Sequence, residues 1–447
     1  MGWDMRNNHR TVDVWTKRQS GGRLCAAVLS AVLLHLAGRP GLGANGVIST
    51  EAAVSAINTL GIELLAKAVA PGANAAISPF SIQTALAMTY AGAGGATRAE
   101  MARVLHYGDD DAALHSAFGA LSGSLRDLQV RSAQTAETTR KRGGEGGDPV
   151  ILGVANRLYG QQGFEFLQPF LTLVKETYGA PFEIVDFKRN APKVTDGINA
   201  WVADQTHQRI LNLIPAGALD EATRLVLVNA LYFKAPWAEP FEVGATLPEP
   251  FLVAGVESVP VPTMMKEARF GYARRAGYQA VSLAYQGGNV QCVLLVPDLP
   301  QGLAALEGKL TQELLHGLGS LPRTKLVLHL PKFKLEPPLV RLGTALRGLG
   351  MTTAFDQPAG SADFSRMAAI GPTRRLAISD VFHKTFVAVD EKGTEAAAAT
   401  ASVIMEVTAA MPSGKPLEVR VDRPFLFVLQ HRQSGACLFL GRVVDPR

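Results

Sequence analysis

The sequence predicts an α+β fold, because patterns typical of helices and of strands both occur along its 447 residues. Apolar residues recur at helical spacing over 47–70. In contrast, residues 225–234 are almost continuously apolar, which is typical of a strand buried on both faces. Shorter strand-like runs occur at 290–297, 325–333 and 376–379. We therefore expect helices packed around at least one interior sheet.

Composition and charge narrow the classes of protein that fit. Apolar residues make up 47% of the sequence, which is ample for a large core, and the 3 cysteines are too few for a disulfide-dense scaffold. The formal net charge is +5, but residues 1–44 hold six basic and two acidic side chains and so account for +4 of it. The remainder is nearly neutral, and we expect no nucleic-acid partner and no membrane binding.

Residues 1–44 have the pattern of a targeting segment. A basic region ends at Arg23, an apolar run covers 24–37, and Gly43 and Ala44 are small enough for a cleavage site. The run is shorter than the roughly 20 residues of a standard transmembrane helix. We predict that 1–44 are removed or disordered, that 45–447 form one domain, and that the protein is secreted, either outside the cell or into a periplasm. An uncleaved anchor is the alternative.

Cys292 and Cys437 each lie inside a strand-like run. Two buried free thiols are the favoured interpretation, because the spacing specifies no pair. A disulfide is the alternative, since no sequence pattern decides whether the two residues meet.

The start of the domain carries helix signals. Ser78 is a plausible N-cap with Pro79 at the first helical position, and this helix should run to Ala91 before the glycines of 92–95 stop it. The pattern at 97–100, Thr-Arg-Ala-Glu, predicts a capping box for the next helix. Further along, we expect one helix ending near Arg209 and one long helix over 303–318.

Residues 131–149 are polar and rich in glycine, with Arg140, Lys141 and Arg142 at the centre. A flexible surface insertion is the favoured interpretation, because runs of charge are usually solvated. Weak binding of a polyanion to these three basic residues is the alternative.

The stretch 390–402 can be interpreted in two ways. It is rich in alanine, which favours an ordinary surface helix. However, a β-like run at 386–389 leads straight into it and Gly393 permits a bend. In an extended chain, one face would carry only small side chains and could enter a packed sheet; these are Thr394, Ala396, Ala398, Thr400 and Ser402.

Several blocks in order resemble the serpins, the serine protease inhibitor superfamily. They are Ser-Pro-x-Ser at 78–81, Asn-Ala-x-Tyr-Phe-Lys-x-x-Trp at 229–237, the segment 381–397, and the C-terminal signature at 419–429. The resemblance covers essentially 47–447. It implies the serpin fold, with three β-sheets, about eight or nine helices and an exposed reactive-centre loop at about 391–416.

The resemblance also implies a suicide inhibitor of serine proteases. The loop acts as bait, the protease attacks it and forms an acyl-enzyme, and the cut loop enters the main sheet from Thr394 onward while the protease stays attached. The alternative is a non-inhibitory serpin acting as a carrier, chaperone or storage protein. Small side chains favour fast insertion, and the implied hinge comprises Glu391, Gly393, Thr394, Glu395, Ala396, Ala397, Ala398 and Ala399.

By the same resemblance, four polar residues form a hydrogen-bonded shutter in the main sheet: Ser78, Ser81, Asn229 and His383. The alternative is that these four residues are unrelated. At 206–209 the sequence departs from the family's usual Gly-Lys pair, and we expect this departure to have little consequence.

The attacked bond follows from two counts that disagree. Counting from Glu391 places it between Val407 and Thr408, whereas counting back from Pro424 places it near Ser413. We favour the hinge count, because the length of the inserted strand is mechanically constrained. The small apolar surroundings fit an elastase-like or subtilisin-like protease better than a trypsin-like one.

Catalytic signatures are missing from the sequence. It contains no G-x-S-x-G elbow, H-E-x-x-H motif, P-loop or C-x-x-C pair. We therefore expect a monomer that is not an enzyme and needs no metal or other cofactor.

Overall fold

The computed structural model describes residues 49–143, 147–369, 371, 375–395 and 416–447. The predicted targeting segment 1–44, the hinge residues Ala396, Ala397, Ala398 and Ala399, and the predicted bond between Val407 and Thr408 lie outside the described residues.

Nine α-helices lie in the described ranges: α1 Glu51–Ala68, α2 Pro79–Ala91, α3 Gly95–Val104, α4 Asp111–Lys141, α5 Gln168–Tyr178, α6 Phe187–Gln205, α7 Leu303–Glu307, α8 Gln312–Gly317 and α9 Gly343–Gly348. Among them, none is both long enough and apolar enough to cross a membrane.

The same ranges hold eighteen strands in three sheets, which confirms the predicted α+β class. The strands are β1 Ala75–Ile77, β2 Ile151–Gln161, β3 Glu165–Phe166, β4 Glu183–Val185, β5 Leu225–Pro236, β6 Leu247–Val253, β7 Glu257–Arg275, β8 Tyr278–Ala284, β9 Val290–Pro297, β10 Arg323–Pro331, β11 Phe333–Leu335, β12 Val340–Arg341, β13 Ala368–Ala369, β14 Ile378–Val389, β15 Gly393–Thr394, β16 Leu417–Arg420, β17 Phe425–His431 and β18 Cys437–Val443.

The central sheet has the strand order β11-β14-β15-β5-β2-β4, with β12 beside β14. β5 and β14 run parallel and pair from Leu225 to Tyr232. On its other side, β5 pairs antiparallel with β2. Beyond Tyr232 the two parallel strands separate, and the short strand β15 lies between them. This separation positions the site described below.

Burial on both faces of β5 explains its continuous apolar sequence. Because side chains alternate across a strand, Leu227 and Leu231 face the main core beneath the sheet. Val226 and Val228 face the opposite way and pack in a second core with residues of α6. The predicted doubly buried strand is therefore confirmed, and Asn229 falls on the face that carries Leu227 and Leu231.

The nine-stranded sheet has the order β1-β18-β17-β9-β8-β7-β10-β16, with β6 beside β7. Its edge strand β16 is the first strand after residue 415 and pairs parallel with β10. Arg420 strengthens this edge, because its guanidinium lies 2.8 Å from Glu249 and 2.5 Å from Glu418. His329 on β10 also lies 3.3 Å from Glu418. The third sheet is the pair β3–β13.

The predicted start of α2 is confirmed. The Ser78 hydroxyl accepts a hydrogen bond from the Ser81 amide at 3.2 Å, and Pro79 occupies the first turn. The helix ends at Ala91, where Gly92 is the C-cap. Every residue of 79–90 is buried, so α2 lies in the interior beneath the central sheet.

The predicted capping box at 97–100 is wrong. α3 begins at Gly95, so Thr97 lies inside the helix. Its hydroxyl accepts a hydrogen bond from the Asp363 amide at 3.0 Å, and Glu100 accepts one from the Thr353 amide at 2.8 Å. Both side chains therefore accept hydrogen bonds from backbone amides of a distant loop and not from the amides at the start of their own helix.

Two other helix predictions need correction. The predicted flexible insertion at 131–149 is helical as far as Lys141, because α4 continues through it and Ala136 is buried. Lys141 pairs with Glu137 at 2.7 Å, so one of the three basic residues already has a carboxylate partner. The predicted helix over 303–318 is interrupted after Glu307, and Thr311 caps a separate helix by accepting from the Leu314 amide.

Cys292 and Cys437 are both free and buried, which confirms the favoured interpretation. Burial raises the pKa of the Cys292 thiol to about 12 and raises that of Cys437 as well. Both thiols therefore stay protonated at neutral pH, and a protonated thiol is a poor nucleophile.

We predict that neither thiol reacts while the protein is folded. In a Cys25→Ser chain at pH 8, Ellman's reagent should label no thiol without denaturant and both thiols in denaturant. An Asp109→Cys variant, whose new thiol lies at an exposed position, should label at once and serves as the control. Rapid labelling of the native Cys25→Ser chain would contradict the buried placement.

Candidate functional site

Two clusters of side chains on the central sheet form the candidate site. The first lies where β5 and β14 separate around β15. It comprises residues 390–395, which are the described part of the hinge together with the turn that precedes it, and we call these residues the hinge from here on. The second is a polar network between the middle of the same two strands and the N-terminus of α2. Of the described sequence-predicted site residues, Asn229 and His383 lie on these two strands, and the others lie at the N-terminus of α2 or in the hinge.

Two residues of the hinge form an extra strand inside the sheet. Gly393 and Thr394 form β15, which pairs with Pro236 and Ala235 of β5. Thr394 also pairs with Val389 of β14. Thr394 is fully buried. The sequence predicts that the cut loop enters the sheet from Thr394 onward, whereas Gly393 and Thr394 are already paired there in this structure.

Glycine is required at 393 by the close approach of β5. A Cβ added there would lie 2.1 Å from the Ala235 carbonyl oxygen and 2.7 Å from the Pro236 Cα. Both contacts are with backbone atoms, which cannot move aside as a side chain would. The backbone φ angle of Gly393 is +156°. Any larger residue would displace β15 from the sheet.

A tight turn leads from β14 into β15. The Asp390 carboxylate accepts hydrogen bonds from the amides of Lys392 at 2.8 Å and Gly393 at 3.2 Å. The buried Glu391 carboxylate accepts from Lys332 Nζ at 2.9 Å and from the Thr246 hydroxyl at 2.8 Å. Burial of Glu391 opposes its ionisation, but these donors outweigh it and hold its pKa below the usual value. The turn is thus fixed in place.

Two aromatic residues hold the hinge from the side. The Trp237 indole stacks on Tyr285 with ring centroids 4.5 Å apart, and its N–H donates to the Asp390 carbonyl at 2.9 Å. The Tyr285 hydroxyl shares a hydrogen bond of 2.6 Å with the Thr394 hydroxyl. Burial raises the pKa of Tyr285 well above its usual value, so the phenol stays neutral. Sequence reasoning did not identify Tyr285, which lies in no motif.

Arg209 forms an ion pair with Glu395, the last described hinge residue. Glu395 is also held by its own amide, which donates to the Ala388 carbonyl at 2.8 Å. The guanidinium of Arg209 lies 5.8 Å from the centre of the Phe386 ring. The expectation that the departure at 206–209 has little consequence stays a prediction, but Arg209 brings this segment into contact with the hinge. That segment reaches the hinge because it follows α6, which covers the same end of the sheet.

The structure brings Ser78, Ser81, Asn229 and His383 together in one hydrogen-bonded network. The Ser78 amide donates to His383 Nε2 at 3.1 Å, and the other ring nitrogen contacts Asn229 Oδ1. Asn229 Nδ2 donates to the Ser81 hydroxyl at 2.6 Å. All four residues are fully buried. We name this cluster, with Asn156, the buried network.

Asn156 on β2 is a fifth member that sequence reasoning missed. Its Oδ1 accepts from Asn229 Nδ2 at 2.5 Å and from the Ser81 hydroxyl at 2.8 Å. Its own Nδ2 donates to the Ser81 carbonyl at 3.1 Å. The signal was available, because Asn156 interrupts an apolar strand as Asn229 does, and a buried amide needs partners.

The network fixes the protonation of His383. Because Nε2 accepts a hydrogen bond from a backbone amide, the ring proton must lie on Nδ1, which then donates to Asn229. A second proton on Nε2 would face the Ser78 N–H at the N-terminus of α2, where the helix dipole also disfavours a cation. Burial lowers the pKa of His383 to about 3. The imidazole is therefore neutral in the folded protein.

The fold agrees with comparison against known proteins. A family profile described as serpin (serine protease inhibitor) matches residues 55–446. The chain belongs to the serpin family. Membership supports protease inhibition as its general function. Among the described residues, no group of three or more His, Cys, Asp or Glu side chains could hold a metal ion.

Relatives and solved structures cover most of the chain. It is 37% identical over 385 residues to the leukocyte elastase inhibitor of the pig, Sus scrofa, covering 84% of this chain and 94% of that protein. The crystal structure of Serpin48 from the insect Tenebrio molitor matches with TM-score 0.71 and 31% identity, covering 89% and 98%. Human thyroxine-binding globulin in complex with thyroxine matches with TM-score 0.74 and 26% identity, covering 89% and 100%.

We predict that the Arg209–Glu395 pair holds the end of the hinge. Glu395 is 13% exposed and Arg209 51% exposed, so a coupling of about 1 kcal/mol is expected, equivalent to roughly fivefold in an opening equilibrium. Hydrogen exchange of the Glu395 amide should accelerate by about that factor in Arg209→Gln, in Glu395→Gln and, without further gain, in the double variant. Arg189→Gln on α6 is the control. Additive effects in the double variant would contradict a direct pair.

We predict that His383 makes the fold less stable in acid. The folded pKa is about 3, whereas an unfolded histidine titrates near 6.5. Between these values the unfolded chain binds a proton that the folded chain does not, so stability is lost as pH falls below about 6.5. The limiting slope is about 1.4 kcal/mol per pH unit for each such histidine.

Denaturant midpoints between pH 7.5 and 4.5 measure this slope. His115, whose pKa burial lowers to about 4, adds to it. A His383→Gln variant should be less stable than the parent protein at pH 7.5. On acidification, however, its free energy of unfolding should fall less than that of the parent protein. His106→Gln, at a partly exposed histidine paired with Glu63, is the control. A His383→Gln variant with an unchanged slope would contradict the assignment.

Proposed function

We propose that the chain inhibits serine proteases by covalent trapping, with an elastase-like or subtilisin-like enzyme as the target. The observation that carries this is the short strand β15, since Gly393 and Thr394 already pair with both β5 and β14. A loop whose first residues lie between two parallel strands is positioned to continue as a full strand once its other end is released. The 37% identity to a protein named leukocyte elastase inhibitor supports the class of target.

The hinge supplies the direction of insertion in this proposal. Each further pair of residues entering the sheet would exchange β5–β14 pairing for two new ladders of backbone hydrogen bonds. The sequence after Glu395 offers Ala396, Ala397, Ala398 and Ala399, whose side chains need little space between packed faces. The uncleaved protein is then held by a kinetic barrier, and the inserted form is the more stable one.

The buried network is the shutter in the same proposal. Opening the sheet must separate β5 from β14, and this separation breaks the contact between Asn229 and His383. Unpaired buried amide and imidazole groups are costly, so the network resists opening until insertion supplies new pairing. It therefore slows premature opening without contributing a chemical group to the reaction.

The proposed attacked bond is Val407–Thr408, and its small apolar surroundings support an elastase-like target over a trypsin-like one. We also propose that residues 1–44 direct secretion, on the basis of the basic region and the apolar run that follows it. Arg140, Lys141 and Arg142 support at most weak polyanion binding, because Lys141 pairs with Glu137.

Incubation with elastase tests the proposal. We expect a complex that survives SDS and a released peptide beginning at Thr408, identified by mass spectrometry. The matched pair Thr394→Val and Thr394→Arg tests insertion, because Thr394 is fully buried. Valine keeps the size and should still give complex, whereas arginine cannot be buried without a partner and should give cleavage without complex.

Other outcomes would contradict the proposal. Clean cleavage of the parent protein, with no complex and no gain in thermal stability, would favour a non-inhibitory serpin that acts as a carrier, chaperone or storage protein. A stable complex with trypsin, cut at Lys415 or Arg420, would contradict the elastase-like target while leaving the trapping mechanism intact. Equal complex formation by Thr394→Arg and Thr394→Val would contradict insertion at the hinge.

A further inference from the structure

A cavity of about 90 Å³ lies beside Trp237, on β7 and β8 and next to the start of β10. A water molecule needs roughly 10–15 Å³, so the cavity has room for about six to nine water-sized groups, and its open side leaves space for the rest of a larger solute. It is separate from the buried network, and none of the proposed steps of inhibition uses it.

Positive charge dominates the lining. Three arginines, Arg269, Arg323 and Arg432, line the cavity together with a single acidic residue, Glu239. That carboxylate is shared, because it lies 3.7 Å from Arg323 and 3.9 Å from Lys266. The lining therefore carries two positive charges in excess.

The guanidinium groups keep free donors for a ligand. Arg323 donates to the Arg269 carbonyl at 2.6 Å and Arg432 donates to the Gly288 carbonyl at 3.2 Å, contacts that orient the two side chains without neutralising them. Within the described ranges, the Arg269 side chain makes no hydrogen bond and no ion pair. Each guanidinium has five N–H donors, so most donors remain available.

Two smaller residues complete the lining. The Ser282 hydroxyl makes no hydrogen bond to any residue that the structure describes, although it lines the cavity. Opposite it, an added Cβ at Gly271 would lie 2.1 Å from the Ser282 oxygen and 3.1 Å from the Leu321 Cβ. Glycine thus leaves the hydroxyl uncovered, and a donor with no protein partner is available to a ligand.

We propose that this cavity, the anion pocket, binds a small multivalent oxyanion, the class that includes tricarboxylates and pyrophosphate. Planar guanidinium groups bind carboxylate and phosphate oxygens through paired, charge-assisted hydrogen bonds. Arg269, Arg323 and Arg432 supply the charge, and Ser282 adds one neutral donor. This inference goes beyond the proposed inhibition and does not depend on it.

The anion pocket shares a wall with the hinge. Trp237 and Ala238 line the pocket, and the Ala238 amide donates to the Ala284 carbonyl at 2.9 Å. The same Trp237 donates through its backbone to the Lys392 carbonyl at 2.8 Å and through its indole to Asp390. A bound anion would hold this wall and so retard exchange of the amides of Lys392 and Gly393.

Calorimetric titration of the full chain tests the pocket, with citrate and pyrophosphate as separate probes and with ionic strength matched by sodium chloride. We expect saturable binding at one site. An Arg269→Gln/Arg323→Gln double variant should bind at least about tenfold more weakly, because two charge-assisted contacts are lost. The control is Arg275→Gln, which removes one positive charge from β7 outside the pocket lining and should bind as the parent does.

Each result decides the question. Binding of citrate alone, of pyrophosphate alone or of both supports the pocket and identifies the preferred oxyanion. Absence of saturable binding for both probes overturns the proposal. Equal weakening in Arg275→Gln also overturns it, since the attraction is then diffuse. Should the double variant fold poorly by circular dichroism, the single Arg432→Gln variant replaces it, and it should bind more weakly than Arg275→Gln does. None of these readouts requires a protease, so failure here leaves the proposed inhibition untouched.

Discussion

One constraint governs the centre of this protein: each polar atom placed between β5 and β14 must find a partner inside the sheet. Asn229 meets it by using its carbonyl for His383 and its amide for Ser81 and Asn156. His383 meets it because its Nε2 accepts a hydrogen bond from the amide of Ser78, the N-cap of α2. The network therefore ties three strands to one buried helix, and the imidazole fits only when neutral.

This arrangement opposes separation of the strands more strongly than apolar packing alone would. Apolar surfaces that part can be covered again by other apolar groups, whereas a buried amide that loses its partner has no substitute without water. The central sheet is accordingly closed in its middle and already parted at the end that holds β15. A strand that enters at that end meets the polar barrier only after several residues have paired.

Much of this fold could be predicted from local sequence, and the failures share a physical cause. The doubly buried β5 could be predicted from its continuous apolar run, and Ser78 could be predicted as a helix cap. Both signals depend only on residues that are neighbours in sequence. Thr97 carried the same kind of signal but bonds to the Asp363 amide. Capping patterns cannot reveal a competing partner that arrives from a distant loop.

In the candidate site, too, residues with a local sequence signal could be predicted, whereas residues held only by tertiary contacts could not. Gly393 could be recognised because glycine permits a bend where a β-like run gives way to an alanine-rich stretch, and Asn229 because a polar residue interrupts an apolar strand. Asn156 could have been found by that second argument. Arg209 and Tyr285 could not, since their contacts with Glu395 and Thr394 arise only from tertiary structure.

Two of the three carboxylates of the hinge, Glu391 and Glu395, indicate where it gives way. Glu391 is buried with donors from Lys332 and Thr246, so its pKa stays low and the turn is well satisfied. Glu395 is held by an ion pair with Arg209, whose side chain is half exposed. Solvent weakens an ion pair of this kind. The hinge is thus anchored more firmly at Glu391 than at Glu395, so the chain detaches most readily at the point from which further insertion would also proceed.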